Sequence, residues 1–425
     1  MASAIEEGRA PRSRRRGVPA AERRRQILDA AVRVFLSEGL DGASTRRLAQ
    51  AAGTTDAVLY RHFPSKRALF EETVRAPLAG LLAELRDLTG SGGLDAAALR
   101  RHLELMGRVT PLLGVAVFGD LDEGREFYGE HIAPLLDQAG ARVQRRLDRA
   151  GLGELDGRLV YTAVFGMHMG LSFDAALRGI DVDLDAASAG VGDLLVRGLS
   201  VPDGDRGAAP TFEAGAAPAW ELVGSGGDRP ARMSPELRRA AIIADALPVY
   251  RAKGPARTRT GDVAEAAGVT EALIYQYFSS KERLFAEVLS AASEDMVWRF
   301  RDAVARLLAA ADPGAPGTLR EFHEATLRVM VDMAPLLGIA VFSGSAEGRA
   351  AYAERFYPAL AEAAAELSGR VYSSSADNVV LVATTTMHFA VALDAEVTGR
   401  ALDVPGVAAQ LSRLVSDGLG PAFAG

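Results

Sequence analysis

Cysteine is absent from all 425 residues, which removes disulfide frameworks, thiolate metal sites and cysteine nucleophiles together. Histidine is scarce, six in all, and no histidine and carboxylate cluster has metal-ligand spacing. A nucleophile elbow and a phosphate-cradling glycine loop are missing too, so no catalysis, cofactor or metal is expected. Long apolar runs are also lacking. The longest uncharged ones, residues 159–173 and 379–393, are shorter than the roughly 20 residues a bilayer-spanning helix needs, so no membrane partner is expected. The arginine-rich start lacks a following apolar run, unlike a secretory signal. A reducing cytoplasm suits such a chain.

What the sequence does contain is the same unit twice. Residues 53–70 and 268–285 align at an offset of 215 with nine of eighteen positions identical, and most other positions exchange like for like, as with Val58 and Leu273. Pro111 to Phe118 returns as Pro335 to Phe342, and Met167, His168 and Asp174 return as Met387, His388 and Asp394. A period near 220 residues is too long for a solenoid and suits two complete, similarly folded halves.

Charge follows the duplication. Arg9 to Phe70 holds fourteen Arg and Lys against five Asp and Glu, a net of +9, and Arg229 to Phe285 holds ten against six, a net of +4. The chain as a whole carries −7, so the rest is strongly acidic. Basic heads on acidic bodies fit partners with a phosphate backbone, because the heads neutralise phosphates while the bodies are repelled.

Within each head the pattern reads as helix, short helix, tight turn, helix. Ile27, Ala31, Val34 and Phe35 share one face of a first helix that Gly39 ends. Thr45 is expected to cap the short second helix, Gly53 to allow the turn and Thr55 to cap the third. Leu59 and Phe63 then face the core, while Asp56, Ala57, Val58 and Arg61 face outward. In the second head, Pro248 falls inside the first helix and predicts a kink near Ala244.

Both heads resemble the DNA-binding domain of the TetR family of transcriptional repressors. They share its Tyr60-x-His62-Phe63-x-Ser65-Lys66 stretch, repeated as Tyr275-x-Tyr277-Phe278-x-Ser280-Lys281, preceded by the turns Ala49 to Gly53 and Ala264 to Gly268. The resemblance implies a third helix in the major groove, with Asp56, Ala57, Val58 and Arg61 near base edges in one head and Glu271, Ala272, Leu273 and Gln276 in the other. It places Thr45, Arg46, Tyr60, His62 and Lys66 on phosphates, and likewise Arg259, Thr260, Tyr275, Tyr277 and Lys281, with Thr55 and Thr270 at the starts of the reading helices. Arg14, Arg15 and Arg16 form an arm suited to the adjacent minor groove. A plainer reading of Asp56 and Glu271 is macrodipole stabilisation in the first turn of a helix, with no contact to DNA.

The expected fold is all-α: two TetR-like units folded as an intramolecular pseudo-dimer. Residues 1–19 are the arm, 20–70 and 234–285 the heads, 71–200 and 286–425 the helical regulatory bodies, and 201–233 a linker rich in Gly, Ala and Pro. The last two helices of each body are expected to form the seam. The resemblance further implies a small-molecule effector, lipophilic by its apolar lining. Its candidate contacts are Phe118, Tyr128, Phe165, His168 and Phe173, with Phe342, Tyr352, Phe356, Met387 and His388 in the second half. These add up to a DNA-binding regulator that reads an asymmetric operator as one chain, with further self-association left open. The alternatives are a second head that has lost DNA binding and a helical interaction protein.

Overall fold

The computed structural model describes residues 19–90, 96–118, 121–198, 212–216, 233–338, 346–367 and 377–420. Every regular element among them is helical. The first head consists of α1 (Ala20–Gly42), α2 (Thr45–Ala51) and α3 (Asp56–His62). Next come α4 (Lys66–Phe70), running through a wide turn into α5 (Ala76–Gly90), then α6 (Ala96–Phe118), α7 (Leu121–Phe127), α8 (Ala133–Arg149), α9 (Gly157–Arg178) and α10 (Leu184–Arg197). The second half repeats this order with α11 (Pro235–Arg257), α12 (Thr260–Ala266), α13 (Glu271–Tyr277), α14 (Lys281–Ala309), α15 (Pro316–Leu337), α16 (Ala346–Ala351), α17 (Tyr357–Leu367), α18 (Asp377–Thr398) and α19 (Val404–Asp417).

The helix boundaries depart from expectation in instructive places. Gly39 does end the first helical run, at φ 70°, and its counterpart Gly254 does the same at φ 71°. Residue 45 is not the cap of α2: Ser44 precedes it and its hydroxyl accepts from the Arg47 amide at 3.1 Å, leaving Thr45 in the first turn. Thr55 stands at the start of α3 without a side-chain capping bond, whereas Thr270 accepts from the Leu273 amide at 3.3 Å. The kink expected near Ala244 is missing, since α11 keeps helical dihedrals past Pro248 as far as Gly254. Pro248 is exposed, so its ring points into solvent, and its fixed φ already suits a helix.

The halves meet along α9 and α18. Their backbones come so close that a Cβ on Gly166 would lie 2.5 Å from the Ala390 Cβ, and one on Gly170 would lie 2.1 Å from the Thr386 Oγ1. Gly166 is the counterpart of Thr386 and Gly170 of Ala390, so the contact is reciprocal, as an isologous interface requires. The same reciprocity holds for polar contacts. Tyr128 donates to Asp394 at 2.9 Å, and its counterpart Tyr352 donates to Asp174, the counterpart of Asp394, at 2.7 Å. Each tyrosine opens a wide helical turn, Tyr128–Ile132 or Tyr352–Phe356. α10 and α19 close the seam at its end, where the Leu419 amide donates to the Leu195 carbonyl at 2.6 Å.

α18 is longer than the uncharged run 379–393 within it. It runs on to Thr398, and Val379–Thr398 is long and apolar enough to cross a bilayer, yet 72% of its most apolar window is buried within the protein. Its apolar circumference is used up by α9 and the core of its own half. Replacing Gly170 by valine should force the two helices apart and cost about 1–3 kcal/mol or more. Urea denaturation of that variant checks this, and an unchanged midpoint would count against the close crossing.

Part of the linker is tied down: the Trp298 indole donates to the Gly215 carbonyl at 3.2 Å, and Arg301 lies over the Phe212 ring at 4.9 Å.

Candidate DNA-binding interface

Each head is assembled the same way. Leu59, Phe63 and Leu48 pack with Ile27 and Phe35 in the first, all nearly fully buried, and Ile274, Phe278, Val263 and Ile242 do so in the second. Arg24 lies over the Phe63 ring at 4.8 Å and pairs with Glu72 at 2.5 Å; its counterpart Arg239 lies over Phe278 at 5.1 Å and pairs with Glu287. Gly53 and Gly268 take positive φ, 58° and 62°, which lets the chain reverse tightly before the third helix. A rigid helix-turn-helix results, with one face of α3 or α13 buried and the other in solvent.

That solvent face carries the expected reading residues. Asp56, Ala57 and Arg61 are exposed and Val58 half-buried; Glu271, Ala272 and Gln276 are exposed and Leu273 half-buried. Tyr60 and Tyr275 are among the few large hydrophobic residues left in water, 47% and 52% exposed. An aromatic ring kept out of a core, with its hydroxyl at the surface, suits a phosphate. Arg46 and Arg259 are exposed, and His62, Tyr277 and Thr45 are half-buried beside them.

Two candidate phosphate contacts have structural work of their own. The Lys66 ammonium donates to the Leu40 carbonyl at 2.7 Å, and Lys281 donates to the Pro255 carbonyl at 3.1 Å. Both lysines thus tie the end of the first helix to the start of the fourth. Thr260 is buried and shares a hydrogen bond of 3.1 Å with the Tyr275 hydroxyl, orienting that ring. Arg14, Arg15 and Arg16 lie outside the described residues.

The heads differ in their ion pairs as well as in the net charges of +9 and +4. Arg47 pairs with Glu38 at 2.9 Å in the first head; at the same positions the second pairs Asp262 with Lys253 at 2.8 Å. The polarity of the bridge is reversed. Lys253 and the Arg259 amide hold the Asp262 carboxyl below its ordinary range. Where the first head has Arg46 the second has Gly261, and the Glu271 carboxylate leans over that glycine, 2.9 Å from where a Cβ would stand. The counterparts, at a constant offset of 215, were there to be compared.

The candidate effector residues divide between two cavities. Phe118, Tyr128 and Phe165 of the first half line a small space of about 20 Å³ that Ala390 and Leu393 of the second half complete. Phe173, Tyr352 and Phe356 line the equivalent space in the second, about 100 Å³ and almost wholly apolar. The second is roomier partly because Thr385 stands where the first half has Phe165. His168, Met387 and His388 are buried at or near zero exposure and line neither space. Phe342 lies outside the described residues. Among the described residues no group of three His, Asp or Glu is placed to hold a metal ion.

Two such heads, each on its own helical body and joined in one chain, define a two-headed helix-turn-helix protein. Residues 27–73 and 242–288 both match the model of the bacterial regulatory proteins of the tetR family, and the chain is a tandem member of that family with two repeats. Among its relatives, the HTH-type transcriptional repressor KstR2 of Rhodococcus jostii is 38% identical over 76 residues, 18% of this chain and 37% of the relative. The nucleoid occlusion factor SlmA of Vibrio vulnificus is 45% identical over 91 residues, 21% of this chain and 46% of the relative. The chain thus spans less than half the length of either. A solved tetR-family transcriptional regulator from Streptomyces coelicolor covers 43% of this chain and 79% of its own, with 21% identity and a TM-score of 0.34.

Proposed function

We propose that this protein is a cytoplasmic transcriptional regulator of the repressor kind, binding double-stranded DNA through both heads as a single-chain pseudo-dimer. The observation that carries this reading is the reciprocal seam holding two exposed but unequal reading helices. A homodimer presents the same residues twice and so favours a palindrome. Here Arg61 and Asp56 stand on one side and Gln276 and Glu271 on the other, so the operator is asymmetric, with half-sites about one helical turn apart. Covalent linkage raises the effective concentration of the second head, so modest affinity of each suffices.

Fragment selection followed by footprinting tests this. Arg61→Ala should relax preference in one half-site and Gln276→Ala in the other, each costing about 1–3 kcal/mol at the affected base pairs. Binding should weaken steeply with salt. A palindrome protected by two chains, or no binding to any duplex at low salt, would end the proposal. A specific observation favours a second reading: Glu271 leans over Gly261 where the first head has Arg46, so the second head neutralises fewer phosphates. Protection of a single half-site would select that version.

The effector in this reading is a small lipophilic molecule in the apolar cavity of the second half. Filling it presses on Tyr352 and Phe356, in the wide turn that follows α16. Arg349 of α16 donates to the Ser37 carbonyl of the first head at 3.4 Å, and Asp122 of α7 pairs with Arg257 of the second. Each body thereby touches the opposite head, a route by which a ligand that prefers one head spacing shifts the population.

A further inference from the structure

The first half contains another cavity, of opposite character. It holds about 240 Å³ between the end of α5, the start of α6, α8 and α9. Its inner wall is apolar, with Leu99, Val143 and Val164. Its mouth is ringed by Arg142, Arg145, Arg146 and Arg149, which successive turns of α8 bring to one side, and no carboxylate lines it among the described residues. Arg142 is held in place by the Arg86 carbonyl at 3.2 Å and the Thr89 hydroxyl at 3.1 Å. Arg145 and Arg149 are exposed.

A polar group waits at the inner end. His102 lines the cavity at only 5% exposure, and one ring nitrogen meets the Tyr161 hydroxyl at 3.3 Å. Its other nitrogen, Nδ1, has no partner among the described residues. A buried imidazole left half-satisfied in an apolar wall is costly, and a ligand oxygen would complete it. Among the described residues the second half shows no equivalent: at the counterpart positions Thr326 replaces His102 and Glu366 replaces Arg142. There the open groove between α14 and α15 mixes Arg299, Arg306 and Arg328 with Asp302, Glu321 and Glu324.

We infer that this cavity binds one amphipathic anion per chain, its carboxylate or phosphate head among the α8 arginines, its apolar stem along Leu99 and Val143, and a hydrogen-bonding oxygen at its inner end on His102. This ligand differs in charge and place from the lipophilic effector proposed above, and it does not depend on DNA binding. A small apolar pocket with a few convergent polar groups is the usual form of such a site, and guanidinium forks match either acidic head.

Isothermal titration of the full chain, without DNA, tests it with 8-hydroxyoctanoate, octanoate, octyl phosphate and the neutral octane-1,8-diol. The expected result is one 8-hydroxyoctanoate per chain, bound at least ten times more tightly than the diol. Octyl phosphate against octanoate distinguishes a phosphate from a carboxylate head. Arg145→Glu with Arg149→Glu, both on the surface and so without effect on the core, should weaken the anions at least tenfold and leave the diol unchanged. His102→Leu, its fold checked by circular dichroism, should reduce 8-hydroxyoctanoate to the affinity of octanoate. Equal binding of anion and diol, two sites per chain, or indifference to the charge reversal would each overturn the inference.

Discussion

Asp394→Ala should destabilise the protein more than the same change at its counterpart Asp174. Asp394 is 4% exposed and accepts from Tyr128 at 2.9 Å and from Arg158 at 2.5 and 2.9 Å, both from the other half. Burial pushes the Tyr128 phenol well above its ordinary pKa and the neighbouring carboxylate pushes it further, so it stays a donor. Removing the carboxylate strands the phenol and leaves the Arg158 guanidinium with Asp137 alone, at 2.6 Å, so the loss falls toward the lower end of the about 3–5 kcal/mol that breaking a buried pair costs. Asp174 accepts from Tyr352 across the seam, but its arginine, Arg178, comes from its own helix and lies over the Tyr357 ring at 4.2 Å, 30% exposed. Water and the ring soften that loss, to about 1–3 kcal/mol. Urea denaturation of both variants gives the comparison. Equal losses would mean that the Arg158 bridge contributes nothing, and separate transitions in the variant against a single one in the intact protein would show that the seam makes the halves one cooperative unit.

Mild acid should unfold the protein through four histidines. His102 and His168 pack ring to ring, with centroids 4.6 Å apart, in the first half, and His323 and His388 do so at 5.0 Å in the second. The tautomers in the second pair follow from its bonds. His388 Nδ1 donates to the Thr384 carbonyl at 2.6 Å, so its Nε2 can only accept, and His323 Nδ1 donates to it at 2.9 Å. Burial lowers all four: His102 and His388 to about 4, His168 and His323 well below the ordinary value, with each partner ring lowering His168 and His323 further. Unfolded imidazoles take up protons as pH falls through about 6.5, while the folded ones stay neutral, so the unfolded state binds more protons. Stability is therefore complete above about pH 6.5 and is lost on the way down toward pH 4. Between pH 7 and 5, His102 and His388 each account for about 2 kcal/mol, and the other pair acts in the same direction. Urea midpoints at pH 7.5 and 5.0 measure this. His102→Leu with His168→Leu should remove the share of the first pair and leave that of His323 and His388, and a wild-type midpoint that does not move would refute the account.

Much of the head was legible in the sequence because its determinants are local. The 3.6-residue spacing of Ile27, Ala31, Val34 and Phe35, the positive φ at Gly53 and the burial of Leu59 and Phe63 need only neighbouring residues. The capping of α2 was misread by one residue because Ser44 and Thr45 are chemically equivalent caps, and only the backbone dihedrals choose between them. At Pro248 the missing amide bond and the crowding of the Ala244 carbonyl are absorbed without a break in the helical dihedrals, which the local sequence does not reveal. The aromatic stripe of candidate effector residues divides into two cavities of unequal size partly because Phe165 and Thr385 fill equivalent space differently. The arginines of α8 passed without notice, since a charge run on a helix is ordinarily a solvated face and nothing local marks the cavity behind it.

The sequence by itself determined that there are two similar halves, that each begins with a basic helix-turn-helix, and which residues of each reading helix meet solvent. Repetition, periodicity and turn chemistry act over a few residues and survive in one dimension. Tertiary structure alone decided the reciprocal Tyr128–Asp394 and Tyr352–Asp174 bonds, the buried histidine pairs and the cavity behind α8. Those depend on groups tens to hundreds of residues apart coming within 3 to 5 Å, a distance that packing sets and the order of residues does not.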